Sequence, residues 1–416
     1  MPALGLELGL PRKMVAGADK CGVASSNRKS SSGFLMIPPS VISPEGQNVT
    51  FVELFFDLVF VFSVTQIVGI LHDGITWQTV GEASLAFWLV WWGWTQFTWA
   101  LNAANTDHAG VQFFTLLASG VAFFMAVSVP AAFGDGAFWF AISYVLVRVI
   151  GLVVYLWVAG DAGHRAAVLR FATLSTGGLL AVLLGASLGG ALQYWAWGGA
   201  ILLDVLAASV GGRQEAWNLH PSHFVERHGL IVIIALGESL IVAASGLVAV
   251  PTDPALITAA VLSVGLACAL WWSYFPRVRP ALERAMEHAP AARQGALARD
   301  VFSLAHFPML SGVIGVAAGI EEAILHPGDP LPLGGRLALG VGLILFLGGS
   351  SVATWRALGT LPLVRLGIAV ATGLGIVAMS AFTAWGSLLL GVTGTLALVL
   401  AEERGTGLES TGFKCS

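Results

Sequence analysis

Residues 51–71 read FVELFFDLVFVFSVTQIVGIL. The run is about 20 residues long, which is what an α-helix needs to cross the roughly 30 Å hydrocarbon core of a bilayer. Its only charges are Glu53 and Asp57. It lacks the polar face of a surface helix. It therefore reads as a membrane span. Comparable runs follow at 83–101, 111–133, 137–159, 168–187, 190–210, 230–250, 255–275, 301–325, 335–355, 362–382 and 384–401. Whole-chain composition agrees: of 416 residues, 56% are hydrophobic and only 11% charged, against about 25% charged in an average soluble domain. A soluble enzyme, a disordered chain and a nucleic-acid binder are excluded. The fold class expected is all-α, a polytopic transmembrane helical bundle of about twelve spans.

Charge placement sets the expected orientation. With twelve spans and a cytosolic N-terminus, eighteen of the twenty basic residues fall in the tails and the cytosolic loops. Arg336 alone falls on the other side, and Arg148 lies within a span. Positive charge stays in the cytosol, so both termini are expected there, in a multi-pass protein of the bacterial inner (plasma) membrane. Residues 1–47 read as a disordered cytosolic tail. Its first 35 residues are Ser-rich and basic and lack the apolar stretch of a signal peptide; Met36 is an alternative start. Residues 403–416 read as a short cytosolic C-terminal tail. Cys21, Cys268 and Cys415 have no framework or metal spacing.

An internal repeat emerges at an offset of 173 residues. Phe51-Val52-Glu53 matches Phe224-Val225-Glu226, Thr65-Gln66 falls on Glu238-Ser239, and Trp99 falls on Trp272. Two six-span halves, 48–213 and 214–402, are expected. An even number of spans per half makes such repeats parallel, with an axis along the membrane normal. Spans 1 and 7 would then face each other.

Ionisable groups inside a bilayer are costly and face the bundle interior, which makes them functional candidates. Glu238, the ninth residue of predicted span 7, lies about 12 Å into it between Gly237 and Ser239, and is placed near the midplane. It is a carboxyl able to carry a proton. Arg148 stays charged and needs a carboxylate or an anionic ligand; Glu238, Asp57 and Asp204 are the candidate partners. Glu53 and Asp57 share a helix face at i, i+4. Asp204 is a weaker case near the end of span 6. Thr65, Gln66 and Ser239 are neutral hydrogen-bonding groups in the same helices.

The segment His220-Pro-Ser-His223-Phe-Val-Glu226-Arg227-His228 is rich in metal-ligand types, but its spacing matches no established site. It reads as a cytosolic helix start with Ser222 as N-cap and Arg227 and His228 as interfacial anchors. His223, Glu226, Arg227, His228, His306 and Glu321 are candidates for proton access. Gly315 and Gly319 in span 9 have a GxxxG spacing that permits close helix packing. Trp88, Trp91, Trp92, Trp94 and Trp99 in span 2 read as packing and interface residues. No Walker A loop, HExxH or GxSxG motif is present. No catalytic residue, metal or cofactor is assigned. The partners expected are the lipid bilayer and a small solute or ion.

Two stretches carry a family resemblance. Val52-Glu53-Leu54-Phe55-Phe56-Asp57-Leu58-Val59-Phe60-Val61 resembles the opening signature of the bacterial low temperature requirement A proteins. His223 through Ser239, with Glu226-Arg227-His228 and Gly237-Glu238-Ser239, resembles their central signature. Tyr144 to Arg148 and the segment from His306 to Pro327 match further family positions. The resemblance covers about residues 48 to 402. It carries over Glu53, Asp57, Arg148, Glu226, Arg227, Glu238, Ser239, His306 and Glu321. The loop from Asn102 to His108 departs from the pattern, since it has no Arg or Lys. The family name implies a cold-growth phenotype and no particular chemistry. Three functions are therefore carried forward: a proton- or ion-coupled secondary transporter with Glu238 and Arg148 at its midplane, a two-repeat ion channel, and a membrane-embedded enzyme or sensor with a cytosol-facing Asp/His/Glu site.

Overall fold

The structure, a computed structural model, describes residues 40–72, 74–211, 217, 219–249 and 253–412. Most of the 1–47 tail, Arg213, Cys21 and Cys415 lie outside the described residues. Among the described residues the protein is helical, with two isolated β-bridges and no strand. The long helices are α1 (Phe51–His72), α2 (Trp77–Ala103), α3 (Ala109–Ser128), α4 (Ala137–Trp157), α5 (Ala162–Leu188), α6 (Gly190–Gly211), α7 (Pro221–Ala249) and α8 (Pro254–Tyr274). Two short helices follow, α9 (Val278–Glu287) and α10 (Ala291–Leu297), then a π-helical turn over Ala298–Leu304. The last four are α11 (His306–Leu325), α12 (Leu333–Leu358), α13 (Leu363–Ala378) and α14 (Ala384–Gly412).

Each predicted span coincides with a helix, and ten of the helices are long and apolar enough to cross a membrane. The protein is a polytopic helical bundle. Large apolar side chains such as Phe113, Phe124, Leu184 and Leu202 are exposed along the outer helices, where lipid covers them. Helices α2 and α13 fall outside the group of ten. Helix α13 has only 16 residues. Helix α2 is long but dilutes its apolar character with tryptophan and polar residues, and from Ala86 to Thr98 every residue is buried. Trp88, Trp91, Trp92 and Trp94 sit inside the bundle, not at a lipid interface. A helix wrapped by other helices has no lipid-facing side to mark it.

Local chemistry sets several boundaries. Thr76 caps α2 in a capping box with Thr79, Asp161 caps α5 and Asp253 caps α8; each satisfies backbone N–H groups that the first turn leaves open. Gly359 closes α12 in a left-handed conformation, φ 77°, which glycine adopts without a Cβ penalty. Helix α7 starts at Pro221, nine residues before the predicted 230, so Ser222 lies within the first turn. Helix α2 extends past its predicted end to include Asn102. Residues 40–43 pack beneath α2: Ser43 N–H donates to Ala103 O at 3.0 Å and Asn105 N–H to Val41 O at 2.8 Å.

The face where α1 begins is called the near face below, and the opposite one the far face. Several helix neighbours recur between the earlier and later helices, although α2 packs on α4 whereas α8 packs on α14. Helix α1 packs on α2 and α3, α3 on α4, α4 on α5, and α5 on α6. Likewise α7 packs on α8 and α11, α11 on α12, α12 on α13, and α13 on α14. Helices α1 and α7 pack on each other and run in the same direction.

The tightest seam is α11 on α12. A Cβ on Gly315 would sit 2.9 Å from Ala338 O, and one on Gly319 would sit 2.7 Å from Leu339 Cβ. The GxxxG spacing is used as close packing. Gly315→Leu is expected to destabilise the detergent-solubilised protein by about 1–3 kcal/mol, read as a lower thermal midpoint. Gly367→Leu, at a glycine with open space around it, is expected to leave the midpoint unchanged.

Candidate functional site

Glu53 and Asp57 are one helical turn apart on α1, which aims both carboxylates at α7. Arg227 reaches across from α7. Its Nη1 lies 2.8 Å from Glu53 Oε1 and its Nη2 lies 2.5 Å from Asp57 Oδ1. All three residues have no exposed surface. Arg227 and His228 are thus interior residues. The start of α7 is polar because it faces α1.

Other elements fix this cluster in place. Thr50 donates both its backbone N–H and its hydroxyl to Glu53 Oε2, at 2.9 and 3.0 Å. The Trp94 indole N–H of α2 donates to Asp57 Oδ1 at 2.7 Å, and its ring lies 5.8 Å from the Arg227 guanidinium carbon. His223 Nε2 is 3.1 Å from Glu53 Oε1. Its Nδ1 faces Asn102 Nδ2 at 3.0 Å.

The orientation of the Asn102 amide is set by the backbone. The His220 N–H donates to Asn102 Oδ1 at 2.8 Å, so Asn102 Nδ2 is the group that faces the imidazole. His223 Nδ1 must then accept, and the ring hydrogen sits on Nε2, where it donates to Glu53. In this arrangement His223 is neutral. Two carboxylates face one guanidinium, so with both ionised the buried cluster carries a formal charge of −1. Asp57 Oδ2, Arg227 Nε and His228 Nε2 are buried atoms with no hydrogen-bond partner among the described residues.

His228 borders the cluster in an aromatic chamber. Its ring is 5.0 Å from that of Trp94 and 5.1 Å from that of Phe302. Its Nδ1–H is engaged by Phe224 O at 2.9 Å. His306 stands 5.3 Å away ring to ring. It gives Nδ1–H to Val301 O at 2.9 Å and accepts the Tyr274 hydroxyl on Nε2 at 2.8 Å. The π-helical turn before α11 turns the Ser303 carbonyl and hydroxyl toward the Trp91 and Trp99 indoles, at 2.8 and 3.0 Å.

Glu238 sits in the far half of the same α1–α7 seam. Because α7 begins at Pro221, Glu238 is about 26 Å along the helix rather than the expected 12 Å. It is 2% exposed and accepts the Thr65 hydroxyl at 2.6 Å. Among the described residues no cation lies within ion-pair distance of it. Ser239 is buried beside it, with Oγ lacking a partner. Gln66 is half-buried, and Gly237 has no neighbour within 4 Å of a built Cβ, so no other backbone approaches there. Glu321 pairs with His72 at 2.7 Å near the far face. Glu226 is half-buried and stays outside the near-face cluster.

Arg148 does not meet Glu238. It pairs within the first half, with Asp204 of α6: Nη2 to Oδ1 is 3.0 Å and Nη1 to Oδ2 is 3.2 Å. Gln96 accepts from Arg148 Nε, and Tyr144 accepts from Arg148 Nη1. Gln96 Nε2 also donates to the Arg148 carbonyl at 2.8 Å. This group is electrically balanced and each of its charged ends is engaged. A joint midplane site of Arg148 and Glu238 is not formed. Trp94, Asn102, Thr50 and Tyr274 are cluster residues that the sequence reading missed; the polar run Thr95, Gln96, Thr98 and Asn102 in α2 was the available signal.

A bundle of membrane-spanning helices with buried, cross-helix ion pairs defines an integral multi-pass membrane protein. Residues 48–401 match the family described as bacterial low temperature requirement A protein (LtrA), and the chain belongs to that family. It is also similar to the uncharacterized protein RA0937 of Rhizobium meliloti (strain 1021), with 29% identity over 330 residues, 73% of this chain and 76% of that one. No solved structure matches.

Breaking a buried pair strands a charge and costs about 3–5 kcal/mol, whereas replacing both partners with apolar groups is often neutral. Asp204→Leu is expected to lower stability by that amount in a thermal or denaturant melt. Arg148→Met combined with Asp204→Leu is expected to recover most of the loss.

Proposed function

We propose that this protein is a proton- or cation-coupled secondary transporter of a small solute, with the α1–α7 seam as its ion path. The carrying observation is the buried cluster of Glu53, Asp57 and Arg227, with a formal charge of −1 and an Asp57 oxygen without a donor. A proton or a small cation neutralises it. An uncompensated charge in a low-dielectric interior is costly, so binding such an ion is favourable there. Glu238 is a second carboxyl station about 12 Å further along α1, measured from Asp57 to Thr65. Among the partnerless atoms, Asp57 Oδ2 and His228 Nε2 are acceptors that a proton or its donor can engage.

Two further observations support a two-half transporter, with halves 48–213 and 214–402. Most, though not all, helix neighbours recur in the same order. Thr65 and Glu238, at the repeat offset, are direct hydrogen-bond partners. A contact between positions at the repeat offset is what a pseudo-two-fold along this seam, parallel to the membrane normal, would produce. The near face, where most of the basic residues gather, is cytosolic in this reading, and the membrane is the bacterial inner membrane. Arg148 and Asp204 act as a brace within the first half.

Purified protein in sealed liposomes, under an imposed potential and read with an internal pH dye, tests this. Wild type is expected to move protons, and Glu238→Gln and Asp57→Asn are each expected to abolish the movement while remaining folded. Undiminished flux in both variants, or none from folded wild type at any imposed cation gradient, overturns the reading.

A further inference from the structure

The far half of the bundle contains a crevice of about 440 Å³ between α1, α2, α11 and α12. Its walls are apolar, with Ile67 and Leu71 from α1, Phe87 from α2, Ile314 from α11, and Leu337 and Leu345 from α12. Among the described residues no charged side chain lines it. The serine hydroxyls in the wall are already spent on their own helices: Ser84 donates to Val80 O at 2.7 Å and Ser311 to Phe307 O at 2.9 Å. The walls thus present no polar group in need of a partner. A polar solute or an extended peptide would lose its hydrogen bonds to water and gain none here.

The position of the crevice identifies the occupant. Its lining on α12 runs from Leu333 at the helix start to Leu345, about 18 Å along the axis. One leaflet contributes about half of a roughly 30 Å core, so the crevice is about one leaflet deep. Its far-face end carries Thr76 and Trp77, and Trp77 is 86% exposed, as expected of a tryptophan at the headgroup level. Leu333 and Val341 on the rim are also exposed, so the opening is continuous with the lipid-facing surface. Gly315 and Gly342 in the wall bring the backbones of α11 and α12 into close contact, which closes the inner end of the crevice.

We propose that this crevice is a lipid site that takes one acyl chain of a phospholipid from the far-face leaflet, with the headgroup near Trp77. Helices α1 and α2 belong to the first half of the chain and α11 and α12 to the second. The acyl chain is therefore a wedge between the halves. The site stands on its own geometry and does not depend on what the protein transports.

A phospholipid with a diazirine in the acyl chain, photolysed with the full-length protein in liposomes and mapped by peptide mass spectrometry, provides the test. Labelling is expected to concentrate on peptides of α1, α2, α11 and α12 that line the crevice. Val341→Trp from the α12 rim, or Val80→Phe from the α2 side, is expected to reduce that labelling about tenfold by filling the space. Val364→Trp on the exposed face of α13 is expected to leave it unchanged. Labelling spread evenly over all lipid-facing helices, or undiminished in both filled variants, overturns the proposal.

Discussion

One guanidinium in the interior answers two carboxylates of another helix. Arg227 cannot shed its charge, and it has no exposed surface. Glu53 and Asp57 are therefore held opposite it, and the starts of α1 and α7 are held together. The rest of the near face is arranged around this requirement. Thr50 and Trp94 occupy remaining lone pairs of the carboxylates. Asn102 ties the turn before α7 to His223. The segment 40–43 closes beneath α2. Apart from the local Thr50–Glu53 contact, each of these joins segments far apart in the chain.

The two arginine centres differ in a way that separates architecture from function. Around Arg148 the charges balance and the donors are engaged, so nothing is left for a ligand to satisfy. Around Arg227 one negative charge is left over, and a carboxylate oxygen and a neighbouring imidazole nitrogen lack donors. An interior that only needed to be stable would be better served by apolar side chains. The imbalance is concentrated on the seam between α1 and α7, and the proposed ion path rests on it.

Much of the fold was legible in the sequence because the membrane imposes a simple rule on length and polarity. Runs such as 51–71 and 111–133 needed no tertiary information. The repeat offset drew attention to Thr65 and Glu238, which turn out to touch. The misreadings share one cause. The His220–His228 segment looked like a surface because it is polar, and the tryptophans of α2 looked like interface residues because they are amphipathic. His223, Arg227, Trp91 and Trp94 are buried and bonded to groups on other elements, and a single sequence carries no record of which helix supplies the partner. For the same reason the partner of Arg148 stayed open among three carboxylates until α4 and α6 were seen side by side. Glu238 was placed too near the start of its helix because the polar first turns of α7 were not counted as helix.

The central claim is that the charges of Glu53, Asp57 and Arg227, which join α1 to α7, serve the proposed ion handling and can be removed together without loss of the fold. Comparing the stability and proton flux of Arg227→Met with those of the triple variant Glu53→Gln, Asp57→Asn, Arg227→Met tests it most directly. The account predicts that Arg227→Met alone is strongly destabilised, by about 3–5 kcal/mol, as expected when a buried charge loses its partner. The triple variant should fold nearly as well as wild type and move no protons. A triple variant that folds and transports like wild type would contradict the account, as would an Arg227→Met protein as stable as wild type.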